Sequence, residues 1–104
     1  MIHGLAEKTE NLIDLDVLER AAGCLRTIAH PIRLRIIQIL LQGPRPVGEL
    51  AEACLVPSHM MSEHLRILKD RGFLASERQG RKIFYRVIEP CLDDIMKCVA
   101  KNGF

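Results

Sequence analysis

Two sets of residues in this chain have the types and spacing to do chemistry: a trio of cysteines, and a polar run followed by a basic turn. Cys24, Cys91 and Cys98 offer thiolates, which select soft acceptors such as arsenite and are the groups that peroxide or a persulfide donor oxidises. Cys91 and Cys98 are seven residues apart, so on a helix they share one face. The rise alone separates their Cα atoms by roughly 10 Å, beyond disulfide reach within the helix. A second chain packed antiparallel, or the segment carrying Cys24, has to close that distance. Three thiolates suit a three-coordinate soft ion, two suit a dithiol switch, and a cysteine that does neither is a small buried hydrophobe. Cys54 reads as the last of these.

The polar run begins at Ser58. If residues 58 to 71 are helical, Met61, Leu65 and Leu68 fall on one side, and Ser58, His59, Ser62, Glu63, Arg66 and Lys69 on the other. Small polar side chains near the helix start let it lie deep in a DNA major groove. Ser, His and Glu can then read base edges while Arg66 and Lys69 reach phosphates. His64 sits at the border of the two sides, so a hydrogen-bonded inward role and a DNA contact both stay open for it. Farther on, Arg78-Gln79-Gly80-Arg81-Lys82 is a basic turn long enough to reach a minor groove or its phosphates. Glu63 and His64 with His59 do not make the metalloprotease pattern, which needs two histidines four apart with Glu after the first. No paired carboxylates, nucleophile-base set or phosphate loop is visible, so an enzyme is not expected.

Composition narrows the partner. With 104 residues, 48% hydrophobic and 27% charged, the chain has the mix of one soluble domain. Aromatics are 4% with no Trp, which disfavours platforms that stack single-stranded bases. The net charge of +2 says little as a total, but residues 58 to 86 hold seven basic and three acidic side chains. That stretch therefore carries +4 against −2 for the rest, the segregation expected of a duplex-binding face. The longest apolar stretch, Ile36 to Leu41, is far short of the roughly 20 residues that span a bilayer. No membrane contact is expected, and without a secretory signal the expected address is cytoplasmic, with reduced thiols and no disulfide scaffold.

The elements needed to position these groups can be read from periodicity. Residues 1–13 are expected to form a flexible N-terminal segment, and 14–104 a single DNA-binding and dimerisation domain. A first helix runs from Asp14, with Leu18, Ala22 and Leu25 at helical spacing, to the stop at His30-Pro31. A second follows with Leu34, Ile37, Leu40 and Leu41 inward, ending at Gln42-Gly43-Pro44. A short third helix is expected from Pro46 to Cys54, and a fourth from Ser58, read as its cap, to Gly72. The period then drops to two. Strands over 74–78 and 82–87 flank a turn at Gln79-Gly80, and a last helix runs from Pro90 to about Lys101. The class is mainly α with a small β-hairpin wing, a winged helix-turn-helix.

In this order the segments resemble the ArsR/SmtB family of bacterial winged-helix repressors. The stretches that carry the likeness are Ala29-His30-Pro31-Ile32-Arg33-Leu34-Arg35-Ile36, Glu49-Leu50-Ala51, Ser62-Glu63-His64-Leu65, Leu68 to Leu74, and Arg78 to Tyr85. The resemblance implies a homodimer, joined through its first and last helices, that leaves its operator when an effector binds. It also brings departures. Where members with a thiolate site on the third helix have Cys-Val-Cys, this chain has Pro46, Val47 and Gly48; where others have the first Asp and His of a zinc site, it has Glu89 and Cys91, with no histidine after His64. A four-ligand zinc site of that type is incomplete.

The sequence supports the dimer independently, because Leu18 and Leu25 at one end and Leu92, Ile95 and Val99 at the other form apolar stripes a thin domain cannot cover. Two-fold symmetry predicts a palindromic double-stranded operator. The expected function is thus an effector-responsive repressor with no obligatory cofactor. Cys91, Cys98 and Cys24 are the expected effector or redox site, for arsenite or another thiophilic ion, or for an oxidant or persulfide. The alternatives are a regulator whose cysteines are only structural, and a protein-interaction module that uses its basic wing on an acidic partner.

Overall fold

Helix α1 (Leu15–Ile28) starts behind Asp14, whose carbonyl accepts the Leu18 amide at 3.1 Å while its carboxylate makes no cap bond. After it, His30 opens the next helix: its Nδ1 accepts the Ile32 amide at 3.1 Å, and Pro31 takes the first position of α2 (Pro31–Leu40). Proline is at home there, since its missing N–H would have no helical partner. The structure, a computed structural model, describes residues 11–103. Most of the expected N-terminal segment 1–13 lies outside the described residues, as does Phe104.

Two local expectations need correction. Pro46 does not start a helix; with Arg45 it forms the two-residue strand β1 (Arg45–Pro46), and α3 (Val47–Cys54) begins after it. Pro46 is extended at φ −80°, ψ 160°, and at two residues the pairing is too short to show as alternation. Ser58 is not the cap of α4 (Ser58–Asp70) but its first residue. Pro57 takes the cap position, and its carbonyl accepts the amides of Met60 and Met61. Between α3 and α4 the chain turns at Leu55, which adopts a left-handed φ of 56°. That conformation costs a non-glycine residue on the order of 1 kcal/mol.

The wing is an antiparallel sheet in the order β1-β3-β2, with β2 (Leu74–Gln79) and β3 (Lys82–Val87) in register from Leu74 opposite Val87 to Gln79 opposite Lys82. Gly80 and Arg81 alone close the hairpin. Gly80 supplies the positive φ of 65° that a two-residue turn needs at its first position to match strand twist. β1 adds Arg45 opposite Tyr85 and Pro46 opposite Phe84, which fastens the wing's inner strand to the start of α3.

The core lies where α2, α3 and α4 meet the wing's base. Ile36, Leu50, Met61, Leu65 and Leu68 are wholly buried, with Ile37, Leu74 and Leu92 nearly so. Burying such a side chain stabilises the fold by about 1.5–3 kcal/mol relative to leaving it exposed. The terminal helices contribute far less. Helix α1 buries only Thr27 and Ile28, leaving Leu15, Leu18 and Leu25 77%, 44% and 53% exposed, and α5 (Cys91–Asn102) buries only Leu92. No described helix is long and apolar enough to cross a membrane.

Candidate nucleic-acid interface and thiol cleft

Helix α4 is held by its Met61, Leu65 and Leu68 side, which turns Ser58, His59, Ser62 and Glu63 outward, all of them exposed. Arg66 and Lys69 are exposed too, but engaged. The Arg66 guanidinium donates to the Glu63 carboxylate at 3.0 Å and to that of Asp70 at 3.4 Å, and Lys69 Nζ donates to Ser76 Oγ on β2 at 2.8 Å. Exposed pairs of this kind are worth about 0–1 kcal/mol, so a phosphate can replace the carboxylates. The Lys69 bond also fixes the wing against α4. At the tip, Arg78, Gln79, Arg81 and Lys82 are all exposed, and among the described residues none of these cations sits in an ion pair. One surface thus presents small polar side chains on a helix and loose cations on a hairpin.

His64 is half-buried and hydrogen-bonded within the protomer. Its Nδ1 accepts from Arg33 Nε at 3.1 Å, and its ring lies 4.8 Å from that of His30, tilted by 60°. Desolvation, then the Arg33 cation, then His30 hold its pKa below the usual imidazole value, partly opposed by Glu63. Arg33 also donates through Nη1 to the Thr27 carbonyl at 2.8 Å. Neither Arg33 nor His30 was among the expected site residues. The contact joins positions 31 apart, and no local pattern announces such a pair.

The cysteines divide. Cys24 on α1 and Cys91 at the start of α5 line one cleft of about 290 Å³, walled by Leu25, Ile28, Phe73 and Ile95, with Glu89 beside them. The Cys91 amide donates to Glu89 Oε2 at 3.1 Å. Cys91 is itself exposed, and desolvation first, then Glu89 and Cys24, raise its thiol above its ordinary pKa. Cys98 does not reach this cleft. It is exposed farther along α5, where the Asn102 amide donates to its sulfur at 3.4 Å. The expected trio therefore does not assemble within one chain: the two turns between Cys91 and Cys98 carry the second thiol away from Cys24. Among the described residues no group of three His, Cys, Asp or Glu is placed to hold a metal ion. Cys54 is half-buried on α3, its thiol pushed up by burial with Arg35 partly offsetting.

Comparison with known proteins fits this geometry. A helix-turn-helix domain family matches residues 28–77. The transcriptional repressor SmtB of Mycobacterium tuberculosis is 38% identical over 89 residues, 85% of this chain and 66% of that protein. The chain thus spans slightly less than two thirds of that relative. A probable mercury resistance operon repressor of Streptomyces lividans is 32% identical over 88 residues, 82% of this chain and 70% of the relative. The chain belongs to the ArsR/SmtB family. Among solved structures, the homodimeric winged helix-turn-helix DNA-binding domain Mb0332 of Mycobacterium bovis superposes with a TM-score of 0.73 at 26% identity, covering 86% of this chain and 82% of that one. The exposed apolar residues Leu15, Leu18 and Leu25 lie on α1, whereas the last helix buries Leu92 and leaves Ile95 and Val99 half-buried.

Proposed function

We propose that this chain is a transcriptional repressor that binds palindromic duplex DNA as a homodimer, with α4 in the major groove and the wing on the flanking backbone. What supports this is the placement of Ser58, His59 and Ser62 on the outward face of a buried-backed helix, beside a hairpin tip bearing Arg78, Arg81 and Lys82. The small side chains read base edges and the cations neutralise phosphates. The exposed Leu18 and Leu25 of α1, with the half-buried Ile95 and Val99 of α5, pair with a second copy.

Release is assigned to a thiophilic ion held by Cys24 and Cys91. Their shared cleft supports this, as does the likeness to a probable mercury resistance operon repressor. A two-thiolate site suits a two-coordinate soft ion such as mercury(II); arsenite needs a third donor, and Cys98 of a second copy is the remaining thiol. A soft ion displaces the thiol protons as it binds. Drawing Cys24 and Cys91 together shifts α5 against α1, the two helices that set the spacing of the recognition helices, and affinity falls by the ligand's preference for that state.

Fluorescence anisotropy of a labelled duplex, selected by the reduced protein from a random pool, tests both parts. Mercury(II) at one equivalent per protomer should release wild type and Cys98→Ser but not Cys24→Ser or Cys91→Ser. Release of all four alike would remove the cleft from the mechanism, and failure to select any duplex would remove DNA.

A further inference from the structure

Arg33 lies outside the DNA-reading surface, yet it touches two of the elements that must keep a fixed relation if α4 is to enter a groove. Its Nη1 donates to the carbonyl of Thr27 in the last turn of α1 at 2.8 Å, and its Nε donates to Nδ1 of His64 on α4 at 3.1 Å. Thr27 is buried and its hydroxyl is spent on the Gly23 carbonyl at 2.9 Å, so Arg33 grips a fixed point. We propose that Arg33 is a positioning residue for DNA recognition: it holds α4 to the end of α1 through His64, so that His64 sets the seat of the recognition helix without touching a base.

The inference rests on the repressor reading and adds a proton dependence to it. A nitrogen that accepts from Arg33 must be unprotonated, which fixes the neutral imidazole with its proton on Nε2. A protonated His64 loses the bond and faces a guanidinium instead. The titratable and charged groups that face His64 are Arg33 and His30 from the α2 side and Glu63 on its own helix. Only Glu63 favours the proton, and it is exposed and paired with Arg66 at 3.0 Å. Ile28, the residue after Thr27, lines the thiol cleft.

Two measurements test this. Affinity for the selected duplex is followed from pH 7.5 to 5.5 for wild type and for His64→Gln, whose amide oxygen can accept from Arg33 at any pH. Wild type should lose more affinity than the variant across this range, by less than the roughly tenfold that an unshifted imidazole would give at pH 5.5, because His64 is held below that value. His59, exposed on the same helix face, is the same in both proteins and cancels in the comparison. Superimposable profiles would overturn the proposal. Without DNA, ¹⁵N NMR of the imidazoles should show His64 with a bare Nδ1, and its titration midpoint should rise in Arg33→Met; an unchanged midpoint would overturn it too. If wild type selects no duplex, the repressor reading fails, and the NMR midpoint alone decides whether the Arg33 contact exists.

Discussion

The middle of the chain and its two ends solve the burial problem differently. Helices α2, α3 and α4 close on one another, so that Ile36, Leu50, Met61, Leu65 and Leu68 are wholly buried within a single protomer. Helices α1 and α5 carry comparable apolar stripes but leave Leu18 and Leu25 about half exposed and bury only Leu92 on the last helix. The middle is complete as one copy and the ends are half of something. The proposed function divides the same way: the self-sufficient part carries the face assigned to DNA, and the less covered part carries the cleft with Cys24 and Cys91.

The largest effect expected on this contrast comes from truncating one leucine in each region. Leu65→Ala should cost about 2–5 kcal/mol of protomer stability, as for other buried leucines. Leu25→Ala should change the unfolding of the dissociated protomer by less than about 0.5 kcal/mol. Urea unfolding at nanomolar concentration checks both. Equal costs would mean that α1 is as much a part of the protomer core as α4.

Next in size is the loss of the second copy. Leu18→Asp with Leu25→Asp places charges on the uncovered stripe, and sedimentation should then find monomers with an intact wing and core. Duplex affinity should fall on the order of 100-fold, because two half-sites no longer act as one linked ligand. Monomers that bind as tightly as wild type would break the division between reading half and assembling half. A smaller change is expected at the wing tip. Arg81→Ala with Lys82→Ala should reduce the log-log salt slope of binding by about one to two and leave the oligomer untouched.

The difference between the regions also explains what could be read in advance. Locally determined features were legible: the period of Met61, Leu65 and Leu68 marks the inner side of α4, the shift to alternation after Gly72 marks the wing, and the exposed Leu18 and Leu25 of α1 point to a second chain, whereas Leu92, expected to be uncovered on the last helix, is buried in the protomer. Features settled by distant partners were not. The two-residue β1 exists because Arg45 and Pro46 meet Tyr85 and Phe84, and two residues show no alternation. His64 was ambiguous because its partner, Arg33, lies on another helix. Spacing put Cys91 and Cys98 together on one face, but only Cys91, at the start of α5, lines the cleft with Cys24.

Acid should weaken the middle of the molecule even where no DNA is present. His64 has a lowered pKa in the fold, so below the ordinary imidazole value of about 6.5 the unfolded chain takes up a proton that the folded chain resists. Stability rises with pH wherever the unfolded state binds more protons. The His64 contribution is therefore fully present above about pH 6.5, and declines as pH falls toward the lowered folded value. The urea midpoint of wild type should drop over that window more than that of His64→Gln.

The smallest expected effect separates reading from folding on one helix face. Arg66 bridges Glu63 and Asp70, whose side chains are each 65% exposed, so Asp70→Asn should shift stability by no more than about 0.5 kcal/mol. On DNA the same change should act with the opposite sign, because removing a carboxylate takes a negative charge off the reading face and loosens Arg66 for a phosphate. Tighter binding at low salt, fading as the Debye length shrinks, is the expected result. Unchanged affinity at every salt concentration would mean that Arg66 spends its charge within the helix, leaving the phosphate contacts of this face to Lys69 and the wing.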